Sequence, residues 1–164
     1  MIEVCHNLFV GNEADAVARL SREGWYIIHA CKEPFHRQAL RYKGRAAPKD
    51  HPEYLIAKRD NRLILNLVDA NDPAYIPREI IDGAVEAIHA NIIHNQVLVH
   101  CNQGLSRSPT IAFLYLLKYT TDLNTNSLPE ALTGFKTLYP PYSPAGGMAG
   151  FLEKYWESYA ADQH

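Results

Sequence analysis

The chain has 164 residues, with 16 Lys and Arg against 18 Asp and Glu, so its net charge at pH 7 is −2. This length predicts one domain, spanning residues 1–164, that buries most of the surface of the unfolded chain. The composition, 47% hydrophobic and 21% charged, excludes wholesale disorder, and the near-neutral charge argues against bulk attraction to nucleic acid or an anionic membrane.

The first elements of the chain are two short strands with a helix between them. Residues 8–10 (LFV) form an apolar run closed by Gly11, and residues 25–29 (WYIIH) form a compact run that favours a buried strand. Between them, apolar residues recur at helical spacing over residues 12–23, and Gly24 is a typical helix stop.

Residues 30–50 are polar and basic, and they predict a long excursion. Asp50, followed by Pro52, then predicts a short helix that runs to about Arg59. The basic side chains of this region could border a binding cleft, but the sequence favours a solvated surface. They are Lys32, His36, Arg37, Arg41, Lys43 and Arg45.

The remaining two thirds of the chain alternate strands with helices. The strands are predicted at residues 63–68 and 97–99, and the helices begin at Pro77, at Ser108, at the capping pattern Ser127–Glu130, and after the Pro/Gly-rich residues 140–147. The helix at residues 108–119 is apolar almost all round, so we expect it to be buried at the centre. This alternation predicts an α/β layered domain.

The cysteines and the N-terminus predict a cytoplasmic protein. Three cysteines, Cys5, Cys31 and Cys101, are too few for a disulfide scaffold. The first residues lack the pattern of a signal peptide, and no apolar run is long enough to span a membrane. Cys5 or Cys31 could protect Cys101 through a reversible disulfide, but a buried inert thiol is the favoured interpretation.

The most informative segment is residues 97–110 (VLVHCNQGLSRSPT), where a cysteine follows a buried strand and an arginine precedes a helix. Backbone amides between the strand and the first helical turn can converge on an anion, and the helix N-terminus adds partial positive charge. Gly104 permits a backbone conformation that other residues avoid. Arg107 offers a planar fork for two phosphate oxygens. The pattern predicts a phosphate site.

The same environment should activate Cys101 as a nucleophile. A cysteine at a helix N-terminus or beside a cation has a lowered pKa, so we expect a thiolate at neutral pH that can attack phosphorus. The hydroxyl of Ser108 could donate to the sulfur when the thiolate must leave.

Residues 100–108 (HCNQGLSRS) match the pattern HCxxGxxRS and resemble the signature loop of cysteine-dependent protein tyrosine phosphatases. The continuation SRSPTIAFLYLL is most similar to the dual-specificity branch, and weaker likenesses occur in LFVGNEADA and in FKTLYPPYSPAGGMAGFLEKYW. Residues 30–62 are longer and more basic than that family's usual pattern. The resemblance implies an α/β fold with a central mixed sheet of four to five strands flanked by helices.

The resemblance also implies roles for the loop residues. His100 would orient the loop and help to keep Cys101 ionised. The phosphate would be bound by Asn102, Gln103, Gly104, Leu105, Ser106 and Arg107.

The family supplies its general acid from an aspartate on the loop after a strand, and two aspartates fit here. Asp69 directly follows the strand in LNLVD, and Asp72 lies in an NDP turn, where its ordinary role is turn capping. The pattern favours Asp69 and leaves Asp72 open.

Together these residues predict a protein tyrosine or dual-specificity phosphatase that works through a cysteinyl-phosphate, with no metal or organic cofactor. Residues 102–106 carry no lysine, which favours a singly phosphorylated side chain of a protein or peptide, phosphotyrosine first and phosphoserine or phosphothreonine as a further option. The same chemistry on RNA 5′ ends or phospholipids stays open, as does a non-catalytic phosphate-recognition module. A rhodanese or an arsenate reductase is disfavoured by the HC and RS residues and by the loop aspartates. The sequence does not predict an oligomeric state.

Overall fold

Six strands form one mixed sheet in the computed structural model, which describes residues 1–161. In chain order the strands are β1 (Ile2–Cys5), β2 (Leu8–Gly11), β3 (Trp25–His29), β4 (Ile56–Arg59), β5 (Arg62–Leu65) and β6 (Gln96–His100). Their order across the sheet is β1-β2-β6-β3-β5-β4. The four central strands are parallel, and β1 and β4 pair antiparallel at the two edges.

The helices cover both faces of this sheet. They are α1 (Glu13–Val17), α2 (Arg37–Leu40), α3 (Arg78–Asn91), α4 (Arg107–Tyr119), α5 (Leu128–Leu138) and α6 (Gly146–Ala161). Side chains alternate along β6, so Val97 and Val99 face the main core with α3 and α4, whereas Leu98 faces a smaller cluster with Ala16 of α1. Within residues 1–161, no helix has the length and apolar character to cross a membrane.

The predicted α/β class, a central mixed sheet flanked by helices, is confirmed, and the sheet has six strands where four to five were expected. The predicted helix from Asp50 to Arg59 is wrong. Its last four residues form β4, which pairs with β5 across the turn at Asp60 and Asn61. Pairing with β5 and burial of Ala57 outweigh the local helix signals.

Other boundaries differ where tertiary contacts decide them. The helix predicted over residues 12–23 ends as α1 at Val17, although Asn12 caps its start with a reciprocal capping box to Asp15. The strand predicted over residues 63–68 ends at Leu65. The polar excursion contains a helical turn over Lys32–His36 and α2, and it buries Phe35 and His36. The central buried helix is confirmed, because every residue of α4 from 107 to 117 is buried.

The sheet topology gathers loops from distant parts of the chain. Because β2, β3, β5 and β6 are parallel, their carboxyl ends lie at one edge of the sheet. Ligands of open α/β sheets bind at this edge. Gly11 ends β2, and Ala30, Leu67 and Cys101 follow β3, β5 and β6, so the loops that begin there meet around Cys101.

Candidate active site

Residues 101–107, here called loop 101–107, connect β6 to the first turn of α4. Among the described residues, no protein acceptor bonds to the backbone N–H groups of residues 102–107. Backbone donors are normally paired, so a run of six unpaired donors at a helix N-terminus is a ready site for an anion. The loop lines a cavity of about 280 Å³ with Asp69 at its edge.

Gly104 gives loop 101–107 its sharp turn. Its φ is +74°, and a Cβ there would lie 2.7 Å from the carbonyl oxygen of Gly11. The hydroxyl of Tyr139 donates to the Gly104 carbonyl over 2.6 Å. The turn therefore requires glycine both for its backbone conformation and for the close approach of β2.

The segment before α6 holds the outer half of loop 101–107. The N–H of Ser143 donates to the Leu105 carbonyl over 2.8 Å, and the N–H of Ala145 donates to the Ser106 hydroxyl over 2.8 Å. Both bonds use acceptor atoms of the loop, so they leave its backbone N–H donors free for another partner.

The guanidinium of Arg107 is almost fully buried, with 9% of the residue exposed. Nη1 donates to the Leu67 carbonyl over 3.0 Å, and Nη2 donates to the side-chain oxygen of Asn102 over 2.8 Å. The Asn102 amide in turn donates to the Glu13 carboxylate and to the Glu33 carbonyl, each over 3.0 Å. Asn102 thus joins α1, the segment after β3 and the arginine.

Cys101 lies at the bottom of the cavity with 3% of its surface exposed. Its Sγ is 3.2 Å from the hydroxyl oxygen of Ser108, which also lies 3.5 Å from the Gly11 carbonyl. The serine can therefore donate to the sulfur or to the carbonyl, and no main-chain movement is needed to exchange the two.

Behind the cysteine lie two buried histidines that are neighbours across β3 and β6. His100 Nδ1 is 3.1 Å from the carbonyl oxygen of Cys101, and His100 Nε2 is 2.5 Å from Nδ1 of His29. Nε2 of His29 accepts from Nε of Arg62 over 2.9 Å. Burial lowers the pKa of His100 to about 4 and the pKa of His29 to about 2, with His100 and Arg62 adding to the shift at His29.

The two candidate acids occupy different positions. Asp69 is exposed and lines the same cavity as Cys101 and Arg107. Asp72 lies outside that cavity, and its Oδ1 accepts the N–H of Ala74 over 2.9 Å at the start of a turn of 3-10 helix. Asp72 therefore caps a turn, while Asp69 is the carboxylate beside the cysteine.

The basic side chains of residues 30–45 separate into three groups. Lys32 lines a second cleft of about 530 Å³ that shares Asp69 with the first cavity. His36 and Arg37 bond within their own segment, to Tyr42 among others. The others are exposed, namely Arg41, Lys43 and Arg45. Only the first group reaches the site.

The other two cysteines are poor nucleophiles. Burial is the main cause that raises the pKa of both thiols, Cys5 and Cys31, to about 12. All three cysteines of the chain are unpaired in the structure.

Sequence reasoning missed several residues that shape this site. Glu13 and Tyr139 bond to loop 101–107 from other elements, His29 bonds to His100, and Arg62 bonds to His29. Only His29 carried a signal, since it ends one predicted strand and His100 directly follows another, but pairing them requires the strand register. Within the described part of the chain, no three His, Cys, Asp or Glu side chains group closely enough to hold a metal ion.

Comparisons with known proteins agree with this geometry. The family model described as "Dual specificity phosphatase, catalytic domain" matches residues 46–150. Human DUSP28 superposes with a TM-score of 0.65 at 22% identity, over 96% of this chain and 93% of that one.

Two further solved structures give a similar result. A mouse putative dual specificity phosphatase, complexed with zinc tungstate, has a TM-score of 0.64 at 24% identity, over 97% of this chain and 87% of its own. The human tyrosine phosphatase-like serine/threonine/tyrosine-interacting protein has a TM-score of 0.64 at 20% identity, with coverages of 96% and 95%. At these identities the solved structures establish the fold alone.

Proposed function

We propose that this chain, which belongs to the dual specificity phosphatase family, removes phosphate from phosphotyrosine in a protein or peptide through a cysteinyl-phosphate on Cys101. Phosphoserine and phosphothreonine are the further substrates of the same proposal. One observation carries it: among residues 1–161, the six backbone N–H groups that follow the buried Cys101, in the loop that ends at Arg107, have no protein acceptor.

The first step is attack of the Cys101 thiolate on phosphorus. The S–P bond forms as the bond from phosphorus to the substrate oxygen breaks, and Asp69 donates its proton to that leaving oxygen. The N–H groups of residues 102–107 and the Arg107 guanidinium stabilise the charge on the equatorial phosphate oxygens. The position of Asp69 at the edge of the cavity supports this role, and the turn bond of Asp72 argues against it there.

The second step returns the enzyme to its starting state. The Asp69 carboxylate takes a proton from water, whose oxygen attacks phosphorus as the S–P bond breaks. The departing sulfur becomes a thiolate again, and the Ser108 hydroxyl, 3.2 Å from Sγ, can donate to it. No metal or organic cofactor enters either step.

The surroundings of the cavity favour an aromatic phosphate ester. Three large apolar or aromatic side chains are exposed nearby, with 38% of Leu105, 38% of Val68 and 71% of Tyr75 exposed. Leu105 lines the cavity itself, and Val68 and Tyr75 line the second cleft, which shares Asp69 with it. Such a cluster can contact a phenyl ring and flanking apolar residues. Residues 102–106 carry no lysine, so a highly anionic lipid head has fewer partners than a single phosphate.

The decisive experiment is turnover of p-nitrophenyl phosphate by the full chain, with a chelator present and with vanadate as inhibitor. We expect turnover that vanadate inhibits and that is lost in Cys101→Ser. Turnover that survives Cys101→Ser would contradict the cysteinyl-phosphate. Vanadate binding without turnover would instead support a recognition module.

A substrate panel then separates the remaining classes. Phosphotyrosine peptides should be hydrolysed faster than matched phosphoserine peptides, RNA 5′ ends or phosphoinositides. Faster turnover of RNA or lipid would contradict the proposed protein substrate but would still agree with the cysteinyl-phosphate mechanism.

The acid assignment has its own test in Asp69→Asn and Asp72→Asn. Loss of a general acid typically costs on the order of 10²–10⁴-fold for a poor leaving group and much less for a good one. We expect this pattern for Asp69→Asn, measured as kcat on phenyl phosphate against a nitro-substituted ester. Asp72→Asn is the matched control and should change kcat by less than about threefold, because its carboxylate caps a turn. The reverse pattern would assign the role to Asp72.

A further inference from the structure

A continuous chain of hydrogen bonds runs from the half-buried Arg62 through two buried histidines to the backbone of Cys101. Arg62 Nε is 2.9 Å from Nε2 of His29, His29 Nδ1 is 2.5 Å from Nε2 of His100, and His100 Nδ1 is 3.1 Å from the Cys101 carbonyl oxygen. The strand register places His29 directly opposite His100, so both side chains stand on the same face of the sheet. Both residues are completely buried.

The groups at the two ends of this chain of hydrogen bonds determine which ring nitrogens of His29 and His100 carry a hydrogen. A carbonyl oxygen only accepts, so His100 Nδ1 carries a hydrogen. A guanidinium only donates, so Nε2 of His29 carries none. With one hydrogen on each neutral ring, Nδ1 of His29 donates to Nε2 of His100. A second proton on either ring would set two donors against each other.

The consequence for loop 101–107 follows from the geometry of one peptide group. A trans peptide is planar, and its C=O and N–H point in opposite directions. Because His100 holds the Cys101 carbonyl, it also sets the direction of the Asn102 N–H, which has no protein acceptor among the described residues. Asn102 lines the cavity beside Cys101.

We propose that His29 and Arg62 are positioning residues for the phosphatase reaction, acting through His100 to hold the peptide between Cys101 and Asn102 in its anion-binding direction. This inference rests on the proposed function of loop 101–107. It assigns a task to two residues that lie outside the loop and do not line its cavity.

Aromatic packing around His29 and His100 excludes water from the hydrogen bond between them. Phe35 stacks on His29 with ring centroids 4.1 Å apart, and it meets His100 edge-on at 5.1 Å. The two imidazoles are nearly perpendicular, with an interplanar angle of 89°. Among residues 1–161, no carboxylate contacts either imidazole ring, so Arg62 is the only charged group that bonds to the two histidines.

The first test is the tautomeric state of the two rings, read from imidazole ¹⁵N and ¹H shifts of the full chain at pH 7. We expect both rings to be neutral and protonated at Nδ1. Either ring protonated at Nε2, or cationic, overturns the proposal. This measurement does not depend on phosphatase activity, so it separates failure of the chain of bonds from failure of the proposed function.

The second test is a pair of substitutions at one position. His29→Leu fills the space but leaves Nε2 of His100 without its donor. His29→Asn keeps a donor, because Nδ2 of Asn is attached to Cγ as Nδ1 of His is. We expect kcat/KM on p-nitrophenyl phosphate to fall about tenfold in His29→Leu and less than about threefold in His29→Asn, as for loss and retention of one buried hydrogen bond.

The reactivity of Cys101 provides a second measurement, which should not change if His29 only stabilises the fold. In His29→Leu the pH at which iodoacetamide alkylates Cys101 at half the maximal rate should rise, since a loosened Asn102 N–H stabilises the thiolate less. His29→Asn should restore it. An unchanged midpoint and an unchanged kcat/KM in His29→Leu overturn the proposal, even if the melting temperature falls.

His36 offers the matched control, because it is also fully buried and bonded at both nitrogens, to Tyr42 and to the Glu53 carbonyl. His36→Leu should lower the melting temperature and leave the alkylation midpoint in place. Should His29→Leu fail to fold, Arg62→Met replaces it. We expect a mixture of His29 tautomers in Arg62→Met, and unchanged tautomers with an unchanged midpoint would overturn the role of Arg62.

Discussion

Loop 101–107 and the segment at residues 32–59 contact each other through Asn102 and Glu33, yet they are held in opposite ways. The loop is held from outside, by Gly11, Tyr139 and Ala145, which lie far from it in the chain. Apart from β4, which pairs with β5, the segment is held largely by bonds among its own residues. Its internal bonds join Arg37 to Glu33, Tyr42 and Gly44, and join Glu53 to His36 and Arg59.

This difference predicts how well each region tolerates amino-acid substitutions. A loop whose shape depends on distant elements tolerates little variation, because each support is a separate point of failure. A segment that holds itself together can vary its surface while the loop stays in place. We therefore expect substitutions in the loop to affect chemistry first, and those in the segment to affect stability first.

Substitution of Gly104 should give the largest effect. In Gly104→Ala the new Cβ would meet the Gly11 carbonyl at 2.7 Å, and the residue would keep a φ of +74°. We expect kcat/KM to fall on the order of a thousandfold, since a displaced loop loses oxyanion donors that are each worth about 10²–10³.

Gly24 is the matched control for this substitution. Its φ is +82°, but a Cβ there would meet nothing within 4 Å. Gly24→Ala should therefore cost about 1–2 kcal/mol of stability from backbone strain alone, with unchanged kcat/KM. Equal losses of activity in the two variants would contradict the special position of loop 101–107.

The second expected effect is a loss of stability as the pH falls, since the loop side of the sheet contains two buried neutral histidines. Burial lowers the pKa of His29 to about 2 and of His100 to about 4, so the unfolded chain takes up protons below pH 6.5 that the folded chain cannot. Their contribution to stability is complete above pH 6.5 and is lost as the pH falls toward 4 for His100 and toward 2 for His29. Each histidine should cost about 1.4 kcal/mol per pH unit.

Urea unfolding at pH 7.5, 6.5 and 5.5 measures this loss. His36, whose pKa is also lowered by burial, adds to it in the same direction. In the His29→Leu variant, the free energy of unfolding should depend less steeply on pH, by the contribution of one histidine. A slope that does not change in this variant would mean that His29 is protonated in the folded chain.

The smallest effect is expected in the self-supported segment. Arg37→Met removes the bonds to the Tyr42 and Gly44 carbonyls and the ion pair with Glu33. We expect a loss of about 1 kcal/mol, or about 2–4 °C in melting temperature, with kcat/KM on p-nitrophenyl phosphate changed less than about twofold. A large fall in activity would show that the segment supports the loop through the Glu33 carbonyl.

The sequence predicted those features whose causes are local. The buried strands β3 and β6, the helices α3 to α6 and the helix cap at Ser127 follow from periodicity and cap residues. The chemistry of loop 101–107 is also local, because Cys101, Gly104 and Arg107 lie within seven residues. Its match to a family pattern therefore pointed to the correct family.

Features that depend on strand pairing could not be predicted. β1 and β4 are short edge strands with polar residues, and they exist because β2 and β5 offer a partner. The contact of His29 with His100 depends on strand register, which no local pattern encodes. The NDP pattern already indicated turn capping by Asp72, but the position of Asp69 in the cavity needed the path of the loop after β5.

The supports of Gly104 and Ser108 have a consequence for how the protein acquires its activity during folding. Ser108 contacts Gly11, 97 residues earlier in the chain, and Gly104 contacts Tyr139, 35 residues later. The pocket is therefore complete only after both the first strands and the segment before α6 have docked. Recovery of activity during refolding should coincide with the last step rather than with collapse of the core, and a nascent chain should stay inactive until that late segment has left the ribosome.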